Sequence, residues 1–263
     1  MNASNAANTV TLHITDSVAV LGFHRPQAHN SLDQQARAEL TDAFAQVATD
    51  PTVRAVVLHG TQAAFCTGQD LKEHVADLQA GNAMDKALTQ YNPMIAQLLD
   101  IKVPVIAAIE GPVAGAGFSL ALHCDFRIAS PRATFKAAFP SIGLAGDCGM
   151  TALLPAFVGP ARAREILLLD PKLAADDALR LGPITEISDQ PVQRATELAQ
   201  QLAQAPTQAL KEMKTLLSRV ANRVILEAAE AEAHAQARLA ETADHKEAVA
   251  AFLEKRAPRF TGR

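Results

Sequence analysis

Two short segments of this sequence combine small residues with the start of a helical stretch. AFCTGQDL (64–71) and PVAGAGFSLALHCD (112–125) each place Gly or Ala after a predicted buried strand and before helical residues. Small residues leave a backbone N–H free to point out of its loop, and in the second segment the helix dipole adds positive charge. Two such N–H groups facing one cavity form an oxyanion hole. The sequence therefore predicts chemistry on a carbonyl oxygen that gains negative charge.

The elements that position these segments alternate between short apolar strands and helices. Apolar residues alternate with polar ones over 10–14, and a second β-like run covers 18–23, so the two predict a hairpin. Periodicity and chain breakers further predict strands at 55–58 and 103–109 and helices at 33–48 and 70–100. This alternation predicts an α/β fold whose sheet is largely covered by helices.

The composition changes beyond Pro206. Residues 207–256 contain no Gly or Pro and are dominated by Ala, Glu, Leu, Lys and Arg, which predicts two or three helices. We therefore divide the chain into a core, residues 1–205, and a C-terminal helical region, residues 206–263.

Charge and composition exclude several classes of protein. The 24 basic and 28 acidic residues give a formal net charge of −4, and 4% of residues are aromatic, so no nucleic-acid partner is expected. Three widely spaced cysteines without a CxxC motif argue against a disulfide framework or a zinc ribbon, and no metal site is expected. The polar start and the lack of an apolar run of about 18 residues predict a cytoplasmic protein with no membrane partner.

Five blocks of the sequence, in order, resemble the crotonase superfamily, that is, the enoyl-CoA hydratase/isomerase family. They are RPQAHNSL, AFCTGQDLKE, IAAIEGPVAGAGFSLALHCDFRIAS, GLAGDCGMTALLPAFVG and AFLEKRAPRF. The resemblance implies a spiral of ββα units with a C-terminal helical region that builds a homotrimer or a dimer of trimers. It also implies an acyl-CoA thioester as substrate and no cofactor. By position, the backbone N–H groups of Gln69 and Ala116 would bind the thioester oxygen.

The acid/base groups depart from the family's hydratase pattern. Hydratases of this family use two glutamates, and the matching positions here hold Ser119 and Phe139. Of the two carboxylates nearby, Asp125 matches a position that supports a strand, whereas Asp147 matches the working aspartate of some isomerases and dehalogenases. Asp147 is the predicted catalytic base, and helix N-capping is the alternative role for it.

One carboxylate is enough to move a double bond, because a single base can take a proton from one carbon and return it at another. The predicted activity is therefore enoyl-CoA isomerisation, and the 135–155 block resembles the branch of epoxyphenylacetyl-CoA isomerases. Two alternatives stay open: an enoyl-CoA hydratase with relocated groups, and a non-catalytic acyl-CoA-binding protein. The dehalogenase branch is disfavoured because no His lies within 85–100.

The resemblance also implies a set of residues for coenzyme A and the acyl group. Gln27, Ala28 and His29 would follow the adenine and pantetheine, with Lys72 near the phosphates. The rest of the predicted set is Thr67, Asp70, Leu71, Ser119 and Phe139. Lys255 and Phe260 would contact coenzyme A of the same subunit or of a neighbouring one.

The other reactive side chains have simpler interpretations. His74 is predicted to be a solvated helical residue, with a place at the mouth of the pocket as the alternative, and His123 is predicted to pack at the end of its helix. Cys66 is expected in the core. Cys148 is next to Asp147, and the sequence does not decide whether it lines the pocket.

Overall fold

The fold is a mixed α/β core followed by long helices. A computed structural model describes residues 8–61, 64–80 and 86–263. The strands are β1 (Val10–Thr15), β2 (Val18–Phe23), β3 (Ala55–Gly60), β4 (Val105–Ile109), β5 (Pro112–Ala114), β6 (Phe126–Ala129), β7 (Thr134–Lys136), β8 (Leu173–Ala174) and β9 (Glu186–Ile187). The α-helices are α1 (Gln34–Thr49), α2 (Leu71–Ala80), α3 (Asn92–Asp100), α4 (Ala116–His123), α5 (Met150–Val158), α6 (Pro160–Leu169), α7 (Ala175–Leu181), α8 (Pro191–Gln204), α9 (Thr207–Ala240) and α10 (Ala243–Leu253).

The main sheet places the two small-residue segments side by side. Its strand order is β1-β2-β3-β4-β6-β9, antiparallel between β1 and β2 and parallel from β2 onward. Because β3 and β4 are adjacent parallel strands, the loops that follow them emerge at the same edge of the sheet. The hairpin of β1 and β2 confirms the sequence prediction. The smaller sheet, β5-β7-β8, lies beyond β4 in the chain.

Helices cover both faces of the main sheet, as predicted. β4 is buried along its whole length, which is typical of a strand between two helical layers. α1 and α3 pack together on one side, whereas α8 lies against β3, β4 and β6 on the other. The α8 contact is made by a stripe of small side chains, Ala195, Ala199 and Ala203.

Two predicted boundaries differ from the structure. The helix expected over 70–100 is α2, a π-helical turn at Ala87–Tyr91 and α3, while residues 81–85 lie outside the described ranges. In the π turn, Asn92 N–H donates to the carbonyl five residues earlier, which widens the helix locally. β4 begins at Val105 rather than 103, because Pro104 has no N–H to pair with the neighbouring strand.

The C-terminal helical region consists of α9 and α10, in agreement with the predicted two or three helices. α9 is 34 residues long and packs against α5 and α3. The predicted division at 205/206 falls in the connection between α8 and α9, and independence of the two units stays a prediction. Within the described ranges, every helix is too short or too polar to cross a bilayer.

The tight α8 contact gives a test of the packing. Ala199 is fully buried against the sheet, so Ala199→Leu is expected to lower the free energy of unfolding by about 1–3 kcal/mol through overpacking. Gln200, its neighbour on the same helix, is exposed, so Gln200→Leu should change that energy by less than about 0.5 kcal/mol. Urea unfolding of both variants measures the difference. Equal effects would contradict the described packing of α8.

Candidate active site

A cavity of about 610 Å³ opens where the loop after β3 and the turn between β5 and α4 meet the segments before α1 and α5. Gln236 of α9 and Phe252 of α10 complete its wall. Eleven of the predicted site residues line it: Gln27, Ala28, His29, Thr67, Gln69, Asp70, Leu71, Lys72, Ala116, Phe139 and Asp147. The structure therefore brings most of the predicted set to one place.

The two small-residue loops touch through their backbones. Gly68 has φ +82°, and a Cβ on it would lie 2.9 Å from Ala114 O and 3.2 Å from Ala116 N. Gly115 precedes α4 with φ +52° and ψ −131°, a conformation that favours glycine. A Cβ on Gly117 would lie 2.2 Å from Cys66 O. Side chains at these positions would force the two loops apart.

The amides predicted to bind a carbonyl oxygen are free to do so. Neither Gln69 N–H nor Ala116 N–H donates a hydrogen bond to another residue of the described ranges. Ala116 is the first residue of α4, so its N–H lies at the positive end of that helix. It does not have a positive φ, so its methyl group causes no backbone strain at the start of the helix. Both residues line the same cavity, as an oxyanion hole requires.

Asp70 anchors the loop that carries Gln69. Its Oδ1 accepts hydrogen bonds from the backbone N–H groups of Lys72 (3.0 Å) and Glu73 (3.2 Å), at the start of α2. Its Oδ2 accepts from Arg25 Nη2 (3.0 Å) and Ser31 Oγ (3.1 Å). Although burial acts to raise the pKa of Asp70, these bonds outweigh it and hold that pKa below its usual value. The carboxylate thus fixes the loop from the cavity side.

Asp147 lines the cavity with a carboxyl group whose pKa is raised. Its Oδ1 is buried and accepts no hydrogen bond from a described residue. Burial and the nearby Glu232 raise the pKa of Asp147 to about 7, against a small opposing effect of a hydrogen bond with Cys148. A carboxyl group with a pKa near 7 can both accept and return a proton at neutral pH.

The loop around Asp147 is held by its backbone. Ser119 Oγ donates to Asp147 O (3.1 Å), and His123 Nε2 donates to Cys148 O (2.8 Å). Cys148 has φ +54°, an uncommon value for a residue with a side chain. The side chain of Asp147 therefore points independently of the helix that follows. The alternative role of N-cap for Asp147 is wrong, because α5 has no side-chain cap from it.

Glu232 occupies the capping position instead. This α9 residue is 4% exposed, and its carboxylate accepts from Gly149 N–H (2.7 Å), Thr151 N–H (2.7 Å) and Thr151 Oγ (2.6 Å). The sequence analysis did not single it out. The sequence does contain one indication of its role. Glu232 lies at helical spacing from Ala229 and next to Ala233, on a face of α9 where small side chains are buried. Glu232 thus connects the C-terminal helices to the loop of Asp147.

Three predicted site residues do not line the cavity. Ser119 is fully buried behind it and acts on the backbone of Asp147. Lys255 and Phe260 lie in the exposed C-terminal segment, which folds back on α10 through bonds to Asp244 and Glu247. Their predicted contact with coenzyme A from a neighbouring subunit stays a prediction.

The structure agrees with some of the predictions for histidines and cysteines and contradicts one of them. His74, expected in solvent, is 1% exposed because α10 covers it, so that prediction is wrong. His123 ends α4, as expected. Cys66 is fully buried, and burial raises the pKa of its thiol to about 12, which agrees with a core role. Cys148 is buried and absent from the cavity wall.

The chain is similar to known proteins in both sequence and structure. The family model described as enoyl-CoA hydratase/isomerase matches residues 13–263. A 1,2-epoxyphenylacetyl-CoA isomerase of Escherichia coli is 37% identical, over 95% of this chain and 97% of its own. A 4-chlorobenzoyl coenzyme A dehalogenase of an Arthrobacter species is 38% identical, over 78% and 76%. The crystal structure of an enoyl-CoA hydratase from Mycobacterium avium subsp. paratuberculosis is 30% identical, with a TM-score of 0.85 over 96% and 98%.

The proximity of Glu232 to Asp147 gives a second test. Glu232→Gln removes a negative charge near Asp147, so the pKa of Asp147 should fall by about one from its value near 7. A titration of the Asp147 carboxyl carbon by ¹³C NMR measures this change.

Glu230→Gln is the matched control for this variant. Glu230 lies on the same helix but is exposed. Its substitution changes the net charge equally and should leave the pKa of Asp147 unchanged. An unchanged midpoint in Glu232→Gln, or an equal change in both variants, would show that Glu232 does not act on Asp147.

Proposed function

The chain belongs to the enoyl-CoA hydratase/isomerase family, the crotonase superfamily, and from that premise we propose that it is an acyl-CoA isomerase. The proposed reaction moves a double bond, or a ring substituent, of an enoyl-type thioester through an enolate. It uses no cofactor besides the coenzyme A of the substrate. The observation that carries this proposal is the single reactive carboxylate, Asp147, in a cavity that also holds two free backbone amides.

The proposed mechanism begins with ionised Asp147. Its carboxylate takes a proton from a carbon next to or conjugated with the thioester carbonyl, and the electron pair moves onto the carbonyl oxygen. The N–H groups of Gln69 and Ala116 stabilise that oxyanion, and one such donor is typically worth about 3–4 kcal/mol. Protonated Asp147 then returns the proton at a different carbon, which completes the shift without any net gain or loss of atoms.

The cavity wall next to Gly115 supports isomerisation over addition of water, since Phe139 Cε1 lies 3.9 Å from a Cβ built on that glycine. Phe139, at the position where the family's hydratases carry a glutamate, is 4% exposed and lines the cavity. An apolar ring there offers no group to position a water molecule. It also keeps the site drier, which strengthens the interactions that stabilise the enolate.

One observation favours hydratase activity as the second candidate. A compartment of about 20 Å³, the size of one water molecule, adjoins Asp147 and shares Gln69 and Gln236 with the main cavity. Its other lining includes the polar side chain of Tyr91. A water placed there by these groups could be activated by Asp147. Dehalogenase activity, named for one of the relatives, is a weaker candidate than hydration, because residues 85–100 contain no His.

We assign the coenzyme A end of the substrate to the rim formed by Gln27, Ala28 and His29. Lys72 is exposed on the same rim, where its ammonium group can meet phosphate oxygens. Because the chain as a whole has a net charge of −4, the electrostatic attraction for the phosphates must come mainly from this local contact. We also propose that the protein acts in the cytoplasm, as its sequence predicts.

We further propose that the chain assembles as a homotrimer or a dimer of trimers. α9 exposes a stripe of apolar side chains at helical spacing: Met213, Leu216, Leu217, Val220 and Val224, between 45% and 73% exposed. Such a stripe on a protein surface is typical of an interface.

This stripe makes the assembly testable. Light scattering should give a mass of three or six chains. Leu217→Lys should lower that mass by placing a charge on the stripe. A monomeric wild-type protein would contradict the proposed assembly.

The isomerase proposal is tested with a 3-enoyl-CoA and its conjugation to the 2-enoyl product. Asp147→Asn should lower kcat by about 10²-fold or more while thioester binding persists. In the wild type, kcat/KM should rise with pH and level off above about 7, because the base works in its ionised form and its pKa is about 7. The variant should lack this rise.

Asp176→Asn is the matched control, since Asp176 is an exposed aspartate on α7. Its turnover should equal that of the wild type. Faster hydration of a 2-enoyl-CoA than isomerisation would replace the proposal by hydratase activity. Thioester binding without turnover of either substrate would identify a binding protein instead.

A further inference from the structure

A chain of hydrogen bonds connects the oxyanion loop to the last helix of the protein. Gln69 Nε2 lies 3.1 Å from His74 Nδ1, and His74 Nε2 lies 3.0 Å from His245 Nε2. His245 Nδ1 lies 2.7 Å from the backbone oxygen of Ile142. His74 belongs to α2 and is 1% exposed, whereas His245 belongs to α10 and is fully buried. These contacts join residues 171 positions apart in sequence.

The Ile142 carbonyl fixes the direction of the chain when both rings are neutral. A carbonyl oxygen only accepts, so His245 Nδ1 carries a hydrogen and His245 Nε2 is left as an acceptor. His74 Nε2–H must then donate to it, which leaves His74 Nδ1 to accept from the amide of Gln69. Burial lowers the pKa of His74 to about 4 and also lowers that of His245, so both rings are neutral near pH 7.

The contacts around His245 make this chain a rigid connection. A Cβ added to Gly143 would lie 3.0 Å from His245 N and 3.0 Å from His245 Cα, so the turn of Ile142 packs directly on the start of α10. Thr242 caps that helix by accepting a bond from His245 N–H (3.2 Å). Further along α10, Phe252 lines the main cavity together with Ile142 and Gln69. The chain therefore joins three parts of the cavity wall.

We propose that His245 is a positioning residue for the thioester site, which acts through His74 on Gln69. The two imidazoles hold the Gln69 side chain and thereby aim the Gln69 backbone N–H into the cavity. This inference rests on the proposed function, because it assigns a task to the same amide. It goes beyond that function by giving α10, far along the chain, a part in the geometry of the oxyanion hole.

Two substitutions of His245 separate this role from simple packing. The amide of Gln reaches the position of His Nε2, so His245→Gln can still accept from His74 but loses the bond to Ile142. The amide of Asn reaches the position of His Nδ1, so His245→Asn keeps the bond to Ile142 but leaves His74 Nε2–H without an acceptor. His234→Asn on the exposed face of α9 is the control for the loss of an imidazole.

The decisive readout is the ¹H–¹⁵N NMR signal of the Gln69 backbone amide, together with the ¹⁵N shifts of the His74 ring. Both should move in His245→Asn and stay near their wild-type positions in His245→Gln and His234→Asn. Turnover should follow, with kcat falling on the order of tenfold to a hundredfold in His245→Asn, KM changing little, and His245→Gln retaining most activity. Any other pattern of the Gln69 signal among the variants overturns the proposal.

This experiment also distinguishes failure of the inference from failure of the proposed function. If the wild type isomerises no enoyl-CoA, the function is wrong, but the NMR signals still report whether His245 positions Gln69. If the wild type is active and the Gln69 signal is the same in all variants, the function stands and the positioning role is wrong.

Discussion

The site depends on the close approach of two backbone loops. Gly68 and Ala116 lie so near one another that a single methyl group on Gly68 would touch the amide nitrogen of Ala116. This approach allows two N–H groups from separate strands to face one cavity. A bridge between Cys66 and Val113 sets the two loops side by side, and glycines at the contact remove the atoms that would separate them. The rest of the structure maintains this contact or places a base beside it.

The supports for the contact come from distant parts of the chain. Asp70 and Arg25 fix the first loop from the cavity rim. His74 and His245 connect the same loop to α10 by hydrogen bonds. Glu232 of α9 fixes the start of α5, next to Asp147, and contributes to its raised pKa. The C-terminal helices therefore contact both the residues behind the Gln69 loop and the loop of Asp147.

The sequence predicted the features that are local and missed those that join distant segments. The strand-loop-helix pattern and the small residues at 68 and 115–117 identified both loops, because these depend on neighbours in the chain, whereas resemblance to the family singled out the amides of Gln69 and Ala116 within them. Resemblance to the family supplied Asp147. His74 was misread as solvated, since only the packing of α10 buries it. Glu232 was missed because Glu230 and Glu232 look alike in sequence, and only the burial of one face of α9 distinguishes them.

Asp147 differs from the other carboxylates described around the cavity in having an oxygen without a partner. Asp70 is held by four hydrogen bonds that keep its pKa below the usual value, whereas burial raises the pKa of Glu232 despite three such bonds. Hydrogen bonds to a carboxylate favour its ionised form, whereas burial without them favours the protonated form. Of the two aspartates that line the cavity, Asp70 is thus held by its hydrogen bonds, whereas Asp147 has the surroundings of the carboxylate that we propose for proton transfer.

The most direct test is a crystal structure of the protein with a bound enoyl-CoA or its product. The account predicts that the thioester oxygen lies about 2.7–3.1 Å from both Gln69 N and Ala116 N. It also predicts that an Asp147 carboxylate oxygen faces the carbon that loses its proton. A thioester oxygen bound away from these two amides, or an acyl chain out of reach of Asp147, would contradict it.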